Sequence, residues 1–128
     1  MDEIGILVMG HGSKLPYNKE IVESVAKNLA KKHDIRVQTA YMGMNEPSIE
    51  EGLRMLAETG VKRIVAVPIF LAHGVHTLKD IPRVLGVSEG KTESITVNGN
   101  TVEVSYAGPL GADERIADIA FSRVQEVL

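Results

Sequence analysis

Short apolar runs alternate along this chain with longer stretches in which apolar residues recur every three or four positions. The runs IGILVM at residues 4–9 and IVAVPI at residues 64–69 contain no charged side chain. Such unbroken runs predict strands that are buried on both faces of a parallel sheet. Residues 35–41 alternate as a strand near a sheet edge does, and Asn98-Gly99 between two apolar stretches predicts a β-hairpin.

Helical spacing of apolar residues predicts a helix after each of the first three strands and another after the hairpin. Pro16 suits the first turn of a helix, and the glycines at positions 60 and 86 are typical helix stops. The predicted helices run from Pro16 to about Lys32, from residues 46–48 to Gly60, and from an N-cap at Thr77, paired with Asp80, to Gly86. The last helix carries Ile116, Ala117, Ala120, Val124 and Val127 on one face.

This order of elements predicts an α/β fold with three layers, in which helices cover both faces of a doubly wound, mostly parallel sheet. We expect a single domain over residues 1–128, with four main strands in the order 2-1-3-4 and a β-hairpin extension. The first and third strands are then neighbours. Their following segments, residues 10–13 and 71–76, should meet at the carboxyl edge, where open α/β sheets bind ligands.

Composition narrows the possible functions. The chain has 128 residues and no cysteine, which excludes disulfides, thiolate metal ligands and cysteine nucleophiles. A net charge of −3 offers no overall attraction to nucleic acid, so no nucleic-acid partner is expected. No apolar run approaches ~18 residues and no signal peptide is visible, so we expect a cytoplasmic protein without membrane association.

Two histidines occupy positions suited to chemistry. His11 lies between two glycines after a buried strand, and His76 immediately precedes the predicted helix N-cap. Each has two interpretations: a turn histidine bonded to backbone, or a rigidly placed imidazole that, for His11, has open space on both sides. His33, among charged residues at a helix end, is interpreted as a surface residue.

If His11 and His76 converge, they can bind a borderline divalent ion such as cobalt, nickel, zinc or iron. Structural zinc sites use four protein ligands, so two imidazoles without a cysteine or a carboxylate cluster should hold an ion far more weakly. Weak binding suits an ion that must leave for another ligand set. Helix N-termini at this edge favour anionic groups, and the apolar Leu71, Ala72 and Val75 can face a flat ring.

Four segments, in this order, resemble the short archaeal sirohydrochlorin chelatases, the CbiX-short or CfbA family of class II chelatases. They are MGHGSKLPYNKE, MNEPSIEE, VPIFLAHGVHTLKDIPRVLG and PLGADERIADIAF. The resemblance implies a chelatase-like half domain that inserts Co(II) or Ni(II) into sirohydrochlorin, for cobalamin or the nickel coenzyme of methanogenesis. It also implies a homodimer, and no tightly bound cofactor, because the metal is a substrate.

The resemblance further implies roles for individual residues. His11 and His76 would be the metal-binding and catalytic pair, and Glu46 would contact the tetrapyrrole. The remaining substrate contacts would come from the loop Leu71, Ala72, His73, Gly74, Val75 and His76. His73 is expected to matter less, since it can face solvent.

Three alternatives stay open at the level of sequence. The family pattern does not separate nickel, cobalt and iron as the metal. The same histidines would serve a non-catalytic carrier of metal or tetrapyrrole. Histidine phosphatases place Arg-His-Gly after a first strand, but here Gly10 stands where the phosphate-binding arginine would be.

Overall fold

The computed structural model describes residues 3–128 and contains five strands and four helices in the alternating order that the sequence predicts. The strands are β1 (Ile4–Gly10), β2 (Arg36–Tyr41), β3 (Arg63–Pro68), β4 (Thr92–Val97) and β5 (Asn100–Tyr106). The helices are α1 (Tyr17–His33), α2 (Ile49–Glu58), α3 (Val75–Leu85) and α4 (Glu114–Glu126). The predicted domain 1–128 stays a prediction, and its residues 1 and 2 lie outside the described part.

The sheet has the order β2-β1-β3-β5-β4 and is parallel except for the edge strand β4. This confirms the predicted order 2-1-3-4: β5 occupies the fourth position and β4, the other arm of the hairpin, extends the sheet. Met9 of β1 pairs with Pro68 of β3, so these two strands end side by side. The two loops of interest therefore leave the sheet at the same edge.

The larger part of the core lies between the sheet and helices α2 and α3. Alternate residues of β1 and β3 point to this side because successive strand residues face opposite ways. The cluster includes Leu7, Met9, Ile64 and Ala66 from these strands, Leu53, Leu56, Ile81 and Leu85 from the helices, and Val102, Val104 and Tyr106 from β5. Helices α2 and α3 cover this face of the sheet, and we call it the covered face.

The opposite face of the sheet is covered by α1 alone. Val22 and Ala26 of α1 pack on Val8 and Tyr41, which belong to β1 and β2. Side chains of β3 on this side, such as Val67, are only partly buried. We call this the open face.

Two predicted helix starts are corrected by the structure. α3 begins at Val75, with Gly74 rather than Thr77 as its N-cap. Thr77 is buried, and its Oγ1 accepts a hydrogen bond from the Gly74 N–H at 2.8 Å, closing the first turn from inside. α2 begins at Ile49, after Ser48 forms a capping box with Glu51. His76 is therefore a residue of the first turn of α3.

The final helix forms as predicted but packs differently from the others. None of its residues is buried, and within residues 3–128 it contacts no other strand or helix. Most of its apolar side chains are exposed, as Phe121 is at 58%, and Ile116 is partly buried. In the described part of the chain, no helix combines the length and apolar character needed to cross a bilayer.

Candidate functional site

Three loops meet at the carboxyl edge of the sheet, where the candidate site lies. The His11 loop (residues 11–16) follows β1, the Glu46 loop (residues 42–48) follows β2, and the His76 loop (residues 69–76) follows β3. Backbone hydrogen bonds join the strand ends, from Ile69 N to Met9 O at 2.8 Å and from Met42 N to Gly10 O at 3.0 Å. The predicted convergence of the loops at one edge is confirmed.

His11 lies exposed at the start of its loop, and its imidazole contacts Phe70. The two rings meet edge to face, with centroids 6.0 Å apart and an interplanar angle of 65°. Phe70 is the second residue after β3, so this contact ties His11 to the neighbouring His76 loop. Sequence reasoning did not single out Phe70, because nothing in one sequence indicates that it meets a ring from another strand end.

The His11 loop is fixed by two asparagine side chains. The Oδ1 of Asn18 accepts from the Gly12 N–H and the Oδ1 of Asn45 accepts from the Ser13 N–H, both at 2.9 Å. Gly12 has φ +88°, and a Cβ there would lie 1.8 Å from the carbonyl oxygen of Gly43. Only glycine fits at this position. Neither asparagine carries a sequence signal that would have identified it.

The space beside His11 is not open as the sequence suggested. A Cβ on Gly10 would lie 2.6 Å from Cγ2 of Val22, so the protein itself fills this side. The glycines are there for close packing, which holds the imidazole in place. The same crowding leaves no room at position 10 for the arginine of a phosphatase.

His76 is exposed in the first turn of α3, beside a group of exposed apolar residues. Leu71 and Val75 of the same loop are 63% and 70% exposed. Ala72 and Gly74 are also exposed. Leu15 of the His11 loop and Met44 of the Glu46 loop are likewise exposed, at 62% and 71%, on the other two loops at this edge. We call these four large side chains, Leu15, Met44, Leu71 and Val75, the edge patch.

His73 does not face solvent, contrary to the expectation from sequence. Its Nδ1 lies 3.1 Å from Thr77 Oγ1 and its Nε2 lies 2.5 Å from Oε1 of Glu89. The ring also meets Tyr106 edge to face at 6.3 Å. Because Thr77 in turn bonds the N–H and C=O of Gly74, His73 braces the loop that carries His76.

Tyr106 beneath this loop stays neutral over the physiological range. Burial, together with the nearby Glu89 carboxylate, raises the pKa of Tyr106 to about 12. Its hydroxyl has no hydrogen-bond partner among the described residues. Beneath the His76 loop, the buried ring of Tyr106 therefore lies beside the hydrogen-bonded side chains of His73, Thr77 and Glu89.

Charged side chains around the edge differ in whether they already have an ion-pair partner. Glu46 is exposed on its loop, before Pro47 and the N-cap of α2. Lys14, Lys79 and Arg83 are all exposed, but Arg83 lies two turns along α3 from His76 and pairs with Asp80. Two basic side chains and the N-terminus of α3 are therefore available to anionic groups at the edge.

The arrangement of donors excludes a closed metal site within one chain. Among residues 3–128, no three side chains of histidine, cysteine, aspartate or glutamate gather closely enough to hold an ion. His11 and His76 can at most supply two ligands, which leaves further coordination positions to water or to another ligand set. Such a site can accept an ion and release it.

The family model that matches this chain and the proteins similar to it in sequence agree on the kind of protein. The family model CbiX matches residues 5–127. A protein named sirohydrochlorin cobaltochelatase from Methanosarcina barkeri is 51% identical over 128 residues, covering 99% of this chain and 98% of its own. The protein of the same name from Methanopyrus kandleri is 38% identical and is covered over 97% of its length.

Solved structures share the fold. The CbiX protein of Marinobacter aquaeolei VT8 has a TM-score of 0.69 at 25% identity, with 96% of this chain and 95% of that chain covered. The sirohydrochlorin chelatase SirB of Bacillus subtilis subspecies spizizenii, in complex with cobalt, has a TM-score of 0.78 at 22% identity. This chain spans 51% of SirB. With a family model matched from β1 to α4 and relatives aligned over nearly their whole length, the chain belongs to the CbiX family.

Proposed function

We propose that this protein inserts Co(II) into sirohydrochlorin, with His11 and His76 delivering the ion. The observation that carries the proposal is two exposed imidazoles on adjoining loops that hydrogen bonds hold in place. Among residues 3–128 no cluster of three ligating side chains is present that would retain the metal. The names of the archaeal relatives, at up to 51% identity, support the substrate and the metal.

Metal delivery starts with a hydrated ion that exchanges some of its waters for the two imidazoles. A neutral imidazole nitrogen is required to bind a metal, so binding and insertion weaken at acidic pH. Because the protein supplies few ligands, the ion keeps positions that a pyrrole nitrogen can occupy. Ligand exchange from imidazole to macrocycle then proceeds without first breaking a closed coordination shell.

The edge patch offers a surface for the flat face of the macrocycle. Leu71, Val75 and Met44 present exposed apolar area on loops at the site edge, and burying it against a ring would be favourable. The carboxylates of the tetrapyrrole would lie toward Lys14, Lys79 and the N-terminus of α3. Glu46, exposed on the adjoining loop, would position the substrate.

Insertion must remove two protons from the macrocycle as four nitrogens bind the ion. Two pyrrole N–H bonds and the bonds from the ion to its imidazole and water ligands break, and four nitrogen–metal bonds form. The two protons that leave balance the two charges of the ion, so the product carries no added charge. The imidazoles that release the ion are neutral and can accept these protons. The substrate carboxylates and water are the other acceptors at the edge.

We include a homodimer in the proposal, in which a single chain would provide one wall of the site. SirB is about twice as long, and this chain aligns with 51% of it. Two copies of this chain would therefore supply the equivalent of both halves. The edge patch, which remains exposed in one copy, would line the cleft between them.

The test is the absorbance change of sirohydrochlorin mixed with Co(II), with and without the protein. We expect the protein to accelerate the change well above the spontaneous rate, and parallel reactions with Ni(II) and Fe(II) give the metal preference. A rate equal to the spontaneous one, with ligand bound, would indicate a carrier and would refute the proposal.

The histidine assignment is tested in the same assay. His11→Ala and His76→Ala should each reduce the catalysed rate by about 100-fold or more, in the range typical for removing a group that contacts the reacting atoms. The matched control is His33→Ala, because His33 is exposed at the end of α1, away from the site edge. Wild-type rates in both site variants would contradict the assignment.

A further inference from the structure

The Glu46 loop contains a backbone conformation that its sequence does not favour. Among residues 3–128, the residues other than glycine with a positive φ are Asp34, Met44 and Asn98. Asp34 ends helix α1 and Asn98 belongs to the hairpin turn, and short polar side chains such as theirs tolerate this conformation. Met44, with φ +66°, has no such side chain. A strained residue therefore lies in a loop of the candidate site.

Met44 is the central residue of a tight turn. The N–H of Asn45 donates to the carbonyl oxygen of Gly43 at 2.7 Å, a hydrogen bond between residues two positions apart. A turn closed by this bond around a positive φ is the strained form of the γ-turn, which is rare in proteins. Glycine would adopt the central φ without strain. The φ of Gly43 lies outside the positive range, and a Cβ on it would have no atom within 4 Å. The chain thus has methionine at the position of this turn that favours glycine.

The packing of Met44 on its own chain does not explain this choice. The residue is 71% exposed, so most of its apolar surface stays in water and contributes little to folding. Met42, two positions earlier, instead packs against the core of the covered face. Strained residues persist where the surrounding structure fixes them, and they cluster at sites that bind ligands. The contact that Met44 serves must therefore lie outside its own chain.

Contacts on both sides fix this turn to the start of the His11 loop. The carbonyl oxygen of Gly43 lies against Gly12, where an added Cβ would be 1.8 Å from it. The Oδ1 of Asn45 accepts from the Ser13 N–H at 2.9 Å. The two neighbours of Met44 thus each contact one of the two residues that follow the first site histidine. The backbone of Met44 is therefore held in a fixed place beside that loop.

We propose that Met44 is a substrate-binding residue that sets the affinity for sirohydrochlorin, and that the strained turn holds its side chain against the face of the macrocycle. This inference deepens the proposed function and rests on it for the identity of the ligand. A methionine side chain is unbranched and polarisable, so it adapts to the face of a large, flat ring. Gly43 leaves space beside it, so the ring can approach the backbone of the turn.

The strain has a consequence that a merely structural residue would not share. The folded protein carries the backbone strain at residue 44 before the ligand arrives, so the strain lowers stability and does not weaken binding. Because the backbone is already fixed, binding the ring orders only the side chain of Met44. Removing the strain together with the side chain should therefore weaken binding without weakening the fold.

Equilibrium binding of metal-free sirohydrochlorin, followed by its absorbance, tests the proposal without the insertion reaction. Met44→Asn removes the apolar contact and retains a residue that tolerates a positive φ. We expect Kd to rise tenfold or more, the effect of no longer burying one methionine side chain. Met44→Leu keeps the apolar contact and should stay within threefold of the wild type. An unchanged Kd in Met44→Asn, or an equal loss in Met44→Leu, would overturn the proposal.

The matched control replaces a methionine that is exposed elsewhere. Met55 lies on α2, outside the three loops, and is 43% exposed. Met55→Gln should bind sirohydrochlorin as the wild type does, because this side chain is away from the site edge. A loss of affinity equal to that of Met44→Asn would contradict the assignment to residue 44.

Urea unfolding separates a ligand contact from a structural role. Met44→Asn should unfold at the same urea concentration as the wild type or at a higher one, because the strain at φ +66° is relieved. A lower midpoint would show that the Met44 side chain supports its own fold, and this result would overturn the proposal.

Two further measurements exclude other contacts of Met44. Co(II) alone should bind Met44→Asn as tightly as it binds the wild type, and light scattering should give both proteins the same mass. A tenfold weaker Co(II) affinity would make the thioether a ligand of the ion. A halved mass would place Met44 against a second copy of the chain. Either result would overturn the proposal.

The kinetics of cobalt insertion should show the effect in KM. A contact made equally to the bound substrate and to the transition state raises KM and leaves kcat unchanged. Met44→Asn should therefore raise KM for sirohydrochlorin at least tenfold and keep kcat within threefold. A lowered kcat with an unchanged KM would contradict the inference.

Binding and insertion together separate the two proposals. If no insertion is catalysed but the affinity for sirohydrochlorin still depends on residue 44, the proposed function fails and this inference stands. If insertion is catalysed and Met44→Asn binds sirohydrochlorin as the wild type does, this inference fails and the proposed function stands.

Discussion

The two loops that present histidines at the site edge are held in place by different means. The His11 loop is held at its main chain: the side-chain oxygens of Asn18 and Asn45 accept hydrogen bonds from its N–H groups, and Gly12 lies against the backbone of the Glu46 loop. The His76 loop is fixed by side chains, through His73, Thr77 and Glu89. A substitution that adds side-chain volume should therefore displace the His11 loop most, and a substitution that removes a hydrogen-bonding side chain should displace the His76 loop most.

The largest effect is expected from adding one carbon to the His11 loop. In Gly12→Ala the Cβ would lie 1.8 Å from Gly43 O, at a φ of +88° that alanine disfavours. The loop must move, so cobalt insertion should fall by about 100-fold and the free energy of unfolding by about 2 kcal/mol. Insertion kinetics and urea unfolding measure the two effects.

Its matched control is Gly74→Ala in the His76 loop. Gly74 has an extended backbone, and a Cβ there would have no atom within 4 Å. We expect this variant to stay within about 1 kcal/mol of the wild type. If both glycine variants behaved alike, the contrast between the two loops would be wrong.

The next effect is expected from removing the imidazole that braces the His76 loop. His73→Ala removes the side-chain hydrogen bonds to Thr77 and Glu89, while Thr77 keeps its bonds to Gly74. The loss of two hydrogen bonds should lower the free energy of unfolding by about 2 kcal/mol and slow insertion by about tenfold. Because His73 acts by positioning His76, the loss should appear mainly in kcat, with metal affinity reduced and partial recovery in His73→Gln. An unchanged kcat would show that the brace has no role in catalysis.

A smaller effect is expected from removing the side-chain amide of Asn45, which lies in the Glu46 loop and bonds the His11 loop. Asn45→Ala removes a single hydrogen bond, to the Ser13 N–H, on a half-buried backbone. We expect a loss of about 1 kcal/mol in unfolding free energy and a few-fold lower insertion rate. Asn28→Ala, on an exposed position of α1, is the control and should match the wild type.

The smallest effect concerns Tyr106, below the His76 loop, and appears only at alkaline pH. Burial raises its pKa from 10.0 to about 12, so the folded state disfavours the phenolate. The unfolded chain loses the proton first, and the stability from the neutral tyrosine is therefore lost as pH rises from about 10 to about 12. Tyr106→Phe should reduce this alkaline decline in urea unfolding, and an identical decline would contradict the assignment.

The sequence predicted the sheet order because the clues are local: charge-free runs mark inner strands, and Asn98-Gly99 marks the hairpin. It also predicted that the loops after β1 and β3 would meet. It did not predict the hydrogen bonds that hold the two loops. Asn18, Asn45 and Glu89 bond residues that lie 6 to 32 positions away in the chain, and no local sequence pattern marks them. The inward turn of His73 was missed for the same reason.

The same limit applies to the last helix. Its amphipathic spacing was read correctly, but the pattern states only that α4 has an apolar face and not which surface covers it.

The central claim is that the imidazoles at positions 11 and 76 hold one and the same ion, and a double-mutant cycle on the catalysed rate of cobalt insertion tests it most directly. If they act as a unit, His11→Ala combined with His76→Ala should be hardly slower than either single variant. Rate losses that multiply in the double variant, or a single variant as fast as the wild type, would contradict the claim.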